Sequence, residues 1–316
     1  MTSRVLRMGT RASALAQTQS GHVARALEAA SGMIVETILI KTVGDQLSSE
    51  GKAPPGGDVT GVFTKALDDA LRENRIDFAV HSLKDLPTAP ERDLILAAVP
   101  TRADVRDALV LPSRAEAVSS ITKLAQGARV ATSSPRRVAQ LLRLRPDLRM
   151  VTMSGNVDTR LRKLDAGEAE ALLLACAGLD RLAFSARIAL RLNPDELLPA
   201  PGQGALALVC READETTRAA AALLDDRAAR LSSAAERALL NELGAGCRAP
   251  VGALAWLEGE TLHLRGRVLS LDGTESLENS AQAQNSNETR ADELGRRVAN
   301  ALLAAGAERL VDAARV

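Results

Sequence analysis

Through the first two-thirds of the chain, short apolar runs alternate with stretches whose apolar residues recur at helical spacing. That alternation is the signature of an α/β fold. Strands are expected at residues 5–8, 35–40, 78–82, 94–99, 108–111, 129–132, 150–153 and 171–174. Amphipathic helices are expected between them, notably at 15–30 and 63–73. In the second, Phe63, Leu67, Ala70 and Leu71 fall on one helical face. The run GKAPPGGDVT, residues 51–60, is polar and rich in Gly and Pro, and reads as a mobile surface loop. PAPGQG, residues 199–204, reads as a crossing between domains, with a strand after it at 205–210.

Beyond about residue 226 the pattern changes. A helix at 233–243 leads into a Gly-rich loop, then strands at 253–257 and 261–269, a strand and loop over 275–288, and a helix at 290–305. The expected architecture is therefore α/β, in two larger domains plus a small α+β C-terminal one. The boundaries are 1–104 with 204–225, then 105–203, then 226–316. No internal repeat of solenoid period is visible.

Composition narrows the function classes. The 316 residues are 46% hydrophobic and 25% charged, ordinary for a globular protein. No apolar stretch approaches the roughly 18 residues a membrane span needs. The start, MTSRVLRMGTRAS, lacks the basic-then-apolar layout of a secretory signal, so the expected compartment is the cytoplasm. Forty basic side chains balance forty acidic ones, which argues against a broad nucleic-acid surface. Three Phe, one Trp and no Tyr leave little for base stacking. Cys176, Cys210 and Cys247 form no CxxC pair, and His22, His81 and His263 are scattered. Neither a disulfide framework nor a metal site is expected.

Three segments share one layout, a strand, a polar turn, and a helix with arginine in its first turn. In ARVATSSPRRVAQLL, Ser133 or Ser134 can cap the helix and Pro135 suits its first position. Arg136 and Arg137 then oppose the positive end of the helix dipole, a conflict that a bound anion relieves. Two solvated arginines are the alternative. MSGNVDTRLRKL repeats the layout with Asn156 and Arg160, and MGTRASALAQTQ does so with Arg11 and Ser13. Three such sites at the carboxyl ends of strands point to a polyanionic ligand.

DFAVHSLKDLP runs a strand into a turn where Lys84 adjoins Asp85. A carboxylate at a strand end can move a proton or steady a developing cation, and a neighbouring lysine favours its charged form. A solvated Lys-Asp turn is the other reading. His81 is expected to be packed rather than catalytic. Cys176 and Cys210 lie in apolar runs and read as small buried hydrophobes. Cys247 differs, lying in LGAGCRAPVG with Arg248 beside it, which favours the reactive thiolate. A loop cysteine without a role is its alternative.

Taken together, TRASALAQTQ, GVFTKALDDAL, DFAVHSLKDLP, ATSSPRR, GNVDTRLRKLD, LACAGLDRL, APGQGALAL and AAERALLNELGAGCRAPVG resemble segments of the porphobilinogen deaminase (hydroxymethylbilane synthase) family, in that family's order, from about residue 4 to 310. The resemblance implies two periplasmic-binding-protein-like (type II) domains around a cleft, and a third domain carrying the cysteine. It implies a monomeric transferase of porphyrin and heme biosynthesis that joins four porphobilinogen molecules into hydroxymethylbilane. It further implies a dipyrromethane cofactor in thioether linkage to Cys247, with Asp85 as the catalytic carboxylate. Lys84, Asp85, Thr132, Ser134, Arg136, Arg137 and Arg160 match cofactor contacts, and Arg11, Ser13, Gln19, Arg160 and Arg181 match substrate contacts. The chain departs from the family pattern at Ser154, usually Arg, at Thr60, often Lys, and at Ala66, commonly Glu. A non-catalytic anion- or solute-binding protein of the same fold is the competing class. A phosphoryl-transfer enzyme is disfavoured by the absence of a GxxxxGK[ST] run.

Overall fold

The structure is a computed structural model that describes residues 5–42, 64–89, 92–116, 118–246 and 249–314. The expected loop 51–60, together with Thr60, Phe63, Cys247 and Arg248, lies outside these residues.

The strands are β1 (Val5–Arg11), β2 (Ile34–Ile40), β3 (Phe78–Ser82), β4 (Leu94–Ala98), β5 (Asp107–Val110), β6 (Arg129–Ala131) and β7 (Arg149–Val151). They continue with β8 (Ala171–Ala175), β9 (Ile188–Arg191), β10 (Leu206–Arg211), β11 (Val251–Glu258), β12 (Thr261–Leu269) and β13 (Ser276–Ala283). The helices are α1 (Ala14–Ser31), α2 (Lys65–Arg72), α3 (Pro135–Leu144), α4 (Val157–Asp165) and α5 (Cys176–Arg181). After them come α6 (Glu215–Ala222), α7 (Arg227–Glu242), α8 (Glu288–Ala304) and α9 (Ala307–Ala313).

Two compact units emerge, Met1–Ala103 with Gly204–Arg230, and Asp104–Gln203 with Leu231–Val316. The first contains a five-stranded sheet in the order β2-β1-β3-β10-β4. Here β1 runs parallel to β2 and β3, while β10 runs antiparallel to β3 and β4. Leu6, Met8, Phe78, Val80 and Leu208 pack on one face against α1, and Leu67, Leu71, Ala79, Ala207 and Val209 form the other core with α2. Burial on both faces explains why β3 reads as a continuous apolar run instead of alternating.

The second unit holds a five-stranded sheet of the same topology, β7-β6-β8-β5-β9, with β5 antiparallel to β8 and β9. Ala108, Val110, Leu172 and Leu174 face α4 and α5, whereas Leu109, Val130 and Leu173 face α3. The same unit includes the antiparallel sheet β11-β12-β13, whose core residues Ala253, Leu262, Leu264 and Val268 pack against Leu239 of α7 and Val298 of α8.

The α/β class expected from the hydrophobic pattern is the fold observed, and each expected strand falls on an observed one within a few residues. Four elements are additional: α5, β9, α6 and α9. All are short, four to eight residues, too few to show a period, and tertiary packing decides their form. Helix α5 starts inside the run LLLACAGL, where Cys176 N donates to Arg106 O at 3.0 Å and the strand gives way to a helical turn.

Gly295 permits the close approach of α8 to α7. A Cβ there would overlap the Ala235 carbonyl oxygen and come within 2.6 Å of Ala238 Cβ. Gly295→Ala is therefore expected to destabilise the fold by about 1–3 kcal/mol in urea unfolding. Gly21→Ala in α1, where the nearest atom is Arg25 Nη1 at 3.5 Å, is expected to stabilise by about 0.5–1 kcal/mol. Equal midpoints for both variants would contradict this packing.

Candidate active site

In the first unit, β3 delivers the DFAVHSLKDLP segment. His81 and Leu83 are buried, and Leu83 N donates to Ala205 O at 3.0 Å. Residues Leu83–Asp85 form a single 3-10 turn, closed by Leu86 N donating to Leu83 O. The buried leucine anchors the turn and leaves Asp85 exposed. Lys84 adjoins Asp85 in the turn without forming an ion pair with it. The Asp85 carboxylate makes no hydrogen bond or ion pair among the described residues, because adjacent side chains on a helical turn diverge. What the turn offers is an accessible carboxylate with its oxygens uncommitted.

Ser13 caps α1, its Oγ accepting from Ala16 N at 3.3 Å, and Arg11 ends β1 just before it. Gln19, expected on a ligand, is buried. Its amide exchanges hydrogen bonds of 3.2 and 3.3 Å with Ser82 Oγ, fastening α1 to the strand that carries Asp85. His81 is fully buried, and its Nε2 has no hydrogen-bond partner among the described residues. Burial, then the nearby Arg11 cation, pushes its pKa down to about 4. It is a packed neutral imidazole, as expected.

In the second unit, Ser134 occupies the N-cap position of α3 without a side-chain cap bond, and Ser133 Oγ donates instead to Met153 O at 2.8 Å. Thr132 Oγ1 accepts from Ser134 N at 3.2 Å and shapes the turn. Asn156 likewise holds the cap position of α4 with no side-chain bond. Pro135 stands at the first position of α3, as its sequence predicts.

Arg136 and Arg137 are not solvated. They are 4% and 6% exposed, and the anion beside them is a protein carboxylate, Asp107, at the start of β5. Arg136 Nη1 donates to Asp107 Oδ2 and to Leu198 O, both at 2.7 Å. Arg137 Nε and Nη2 donate to Asp107 Oδ1 at 3.0 and 2.8 Å, and its Nη1 donates to Leu173 O at 3.1 Å. Gln203 Nε2 adds a bond to Oδ1 at 2.9 Å. Burial disfavours the Asp107 charge, yet the two guanidiniums outweigh it and hold the carboxyl well below its ordinary range.

One carboxylate does not balance this region. Arg160, near the start of α4, is half-buried and bonds only through Nε to Gly155 O at 2.7 Å, with no carboxylate in ion-pair range among the described residues. Burial and then repulsion from Arg137 push its pKa down to about 10. Arg136 Nε is buried without a hydrogen-bond partner among the described residues. Buried orphan donors are rare, and one next to a surplus of cations fits an anionic ligand. Arg181, at the end of α5, is half-buried too, which lowers its pKa. Near Ser154, Lys163 Nζ approaches the Ser154 carbonyl at 3.5 Å, so a cation from α4 stands at that loop.

Sequence reasoning passed over two buried acids. Asp107 lies just outside the strand expected at 108–111. Glu236 of α7 is fully buried, accepting from Gly202 N at 2.7 Å and Ala255 N at 2.8 Å, and so ties the PAPGQG segment to β11. A charged residue among apolar neighbours in a strand or helix that reads as buried is the signal for both. Cys176 and Cys210 are buried thiols pushed up to about 12 and about 11, chiefly by burial, and so stay protonated and inert.

Fold and site define an α/β protein of two like sheets, the second unit of which gathers guanidinium groups around a buried carboxylate. Models of the "porphobilinogen deaminase, dipyromethane cofactor binding domain" and the "porphobilinogen deaminase, C-terminal domain" match residues 6–219 and 231–304. The chain belongs to the porphobilinogen deaminase family. It is 47% identical to the porphobilinogen deaminase of Nocardia farcinica, covering 98% of this chain and 89% of that one. With that of Syntrophotalea carbinolica it shares 43% identity over 99% and 97%. Among solved structures, the periplasmic aliphatic sulphonate binding protein SsuA from Escherichia coli aligns at 14% identity and TM-score 0.41, over 76% of this chain and 70% of that one. No helix of the described residues is long and apolar enough to cross a membrane.

The buried state of His81 has a pH consequence. Its folded pKa lies below the unfolded value of about 6.5, so the unfolded chain binds more protons between those limits and stability falls as pH drops from about 6.5 to 4. The loss from this one group amounts to about 3 kcal/mol. Urea unfolding at pH 7 and pH 4.5 is expected to show a smaller difference in His81→Gln than in the parent chain. An unchanged difference would contradict a neutral buried imidazole.

Proposed function

We propose that this protein deaminates porphobilinogen and joins four molecules head to tail into hydroxymethylbilane, a step of tetrapyrrole biosynthesis. The observation that carries the reading is the cation surplus in the second unit. Arg136 and Arg137 share one protein carboxylate, Arg160 has none in ion-pair range among the described residues, and Arg136 Nε lacks a partner among them. Each pyrrole of the substrate bears an acetate and a propionate, so a growing chain brings the negative charge that such a cluster needs.

The same cluster fits the dipyrromethane of the family's cofactor-binding domain, and Arg136, Arg137 and Arg160 would hold its carboxylates, with Thr132 and Ser134 shaping the turn beside them. In thioether linkage to Cys247, that group supplies the free α-carbon to which new rings are joined. Arg11, Ser13, Gln19 and Arg181 serve the substrate side, with Gln19 acting through Ser82. Lys84 and Asp85 lie where the DFAVHS strand ends.

Asp85 supplies the chemistry of the chain's own residues. Loss of ammonia from the substrate's aminomethyl group leaves positive charge at the pyrrole nitrogen. A fixed carboxylate with uncommitted oxygens stabilises that charge and can take up the proton that the ring later releases. Asp107 does not share the task, since it is fully buried and paired with two guanidinium groups. The reading carries with it a monomeric, cytoplasmic protein without a nucleic-acid partner. It also takes 1–104 with 204–225, 105–203 and 226–316 as its working domains.

Intact-mass measurement with steady-state kinetics tests this directly. The purified chain is expected to carry an added mass of two pyrrole units. Cys247→Ala should lose both adduct and turnover, while Asp85→Asn should keep the adduct and lose about 100-fold or more in turnover. An unmodified but active Cys247→Ala chain, or near-normal turnover by Asp85→Asn, would overturn the assignment.

A further inference from the structure

We propose that Asp107 is a positioning residue, whose carboxylate forces the guanidinium groups of Arg136 and Arg137 together and aims their remaining N–H groups at ligand carboxylates. The inference rests on the functional reading above and adds a residue to it.

Arg136 and Arg137 are consecutive on α3, and consecutive side chains on a helix point in different directions. Left alone, two like charges in a buried place would separate further. Asp107 reverses this. Its Oδ2 takes Arg136 Nη1 at 2.7 Å, and its Oδ1 takes Arg136 Nη2 at 3.3 Å with Arg137 Nε and Nη2 at 3.0 and 2.8 Å. Each guanidinium thus spends three of its five N–H groups on the protein, counting Leu198 O and Leu173 O, and keeps the rest.

The anchor itself is rigid. Asp107 pairs in register with Ala175 of β8, and its carbonyl accepts Leu192 N at 2.8 Å. Gln203 Nε2 bridges Asp107 Oδ1 and Val105 O at 2.9 and 2.8 Å. Leu198, which receives Arg136, is held in turn by Gln140, whose Oε1 accepts Leu198 N at 2.8 Å and Arg267 Nη1 at 2.9 Å. Fully buried and accepting five hydrogen bonds from Arg136, Arg137 and Gln203, Asp107 is held as a carboxylate that orients its donors rather than one that meets a substrate proton. Were it a simple structural ion pair, one arginine would neutralise it, whereas a second guanidinium leaves an uncompensated buried cation. A ligand carboxylate completes the balance.

The test uses the full chain as purified, comparing it with Asp107→Asn and Asp107→Glu by circular dichroism, intact mass and turnover. A misplacement of about 1 Å at a positioned group is worth about 100-fold. Asp107→Asn is expected to keep the parental spectrum, with the fraction bearing the two-pyrrole adduct reduced at least tenfold. Asp107→Glu, which retains the charge on a longer arm, should recover most of the loading. Full loading of Asp107→Asn with parental turnover would overturn the proposal. So would failure of both variants to fold, which would make the carboxylate a structural brace only. A parent chain without adduct would remove the functional reading itself and this inference with it, an outcome distinct from a loaded parent and a loaded Asp107→Asn.

Discussion

A charge buried in protein must be balanced, and the second unit is organised around an imbalance. Asp107 is fully buried at the start of β5, two guanidinium groups converge on it, and a third lies near enough to Arg137 to be repelled. Removing one partner from a buried ion pair is costly, about 3–5 kcal/mol, so none of these residues is free to vary independently. The turn that opens α3, the strand that begins at Asp107 and the segment from Leu198 to Gln203 are bound into one piece by these bonds. These bonds fix the directions of the guanidinium groups, as recognition of planar carboxylates by arginine requires.

Two aspartates illustrate how environment divides labour. Asp85 sits exposed on a 3-10 turn with no protein partner among the described residues. Asp107 is enclosed and paired with two guanidinium groups. The first can meet a developing cation or a proton, and the second can only orient its neighbours. On the proposed reading, the same residue type serves chemistry in one unit and geometry in the other.

Much of this was legible in the chain. Alternating apolar runs located the strands because sheets covered on both faces leave strong continuous signals, as in β3 and β8. The strand-turn-helix layout was legible at Arg136, Arg137 and Arg160, which fall early in α3 and α4, whereas Arg11 is the last residue of β1. The pairing of Asp107 with Arg136 was not legible, since 29 positions separate them and only the sheet order brings them together. The Gln19–Ser82 bond escaped notice for the same reason, at a separation of 63. Adjacency of Lys84 and Asp85 in the sequence does not bring their charged groups into contact, since adjacent side chains on a helical turn diverge.

The most direct test of the central claim is a crystal structure of the protein as purified, read at the guanidinium groups of Arg136, Arg137 and Arg160. The account predicts ligand carboxylates within hydrogen-bond range of these groups, one of them on Arg136 Nε. Ordered water alone at all three arginines, in a chain whose mass shows the adduct, would contradict it.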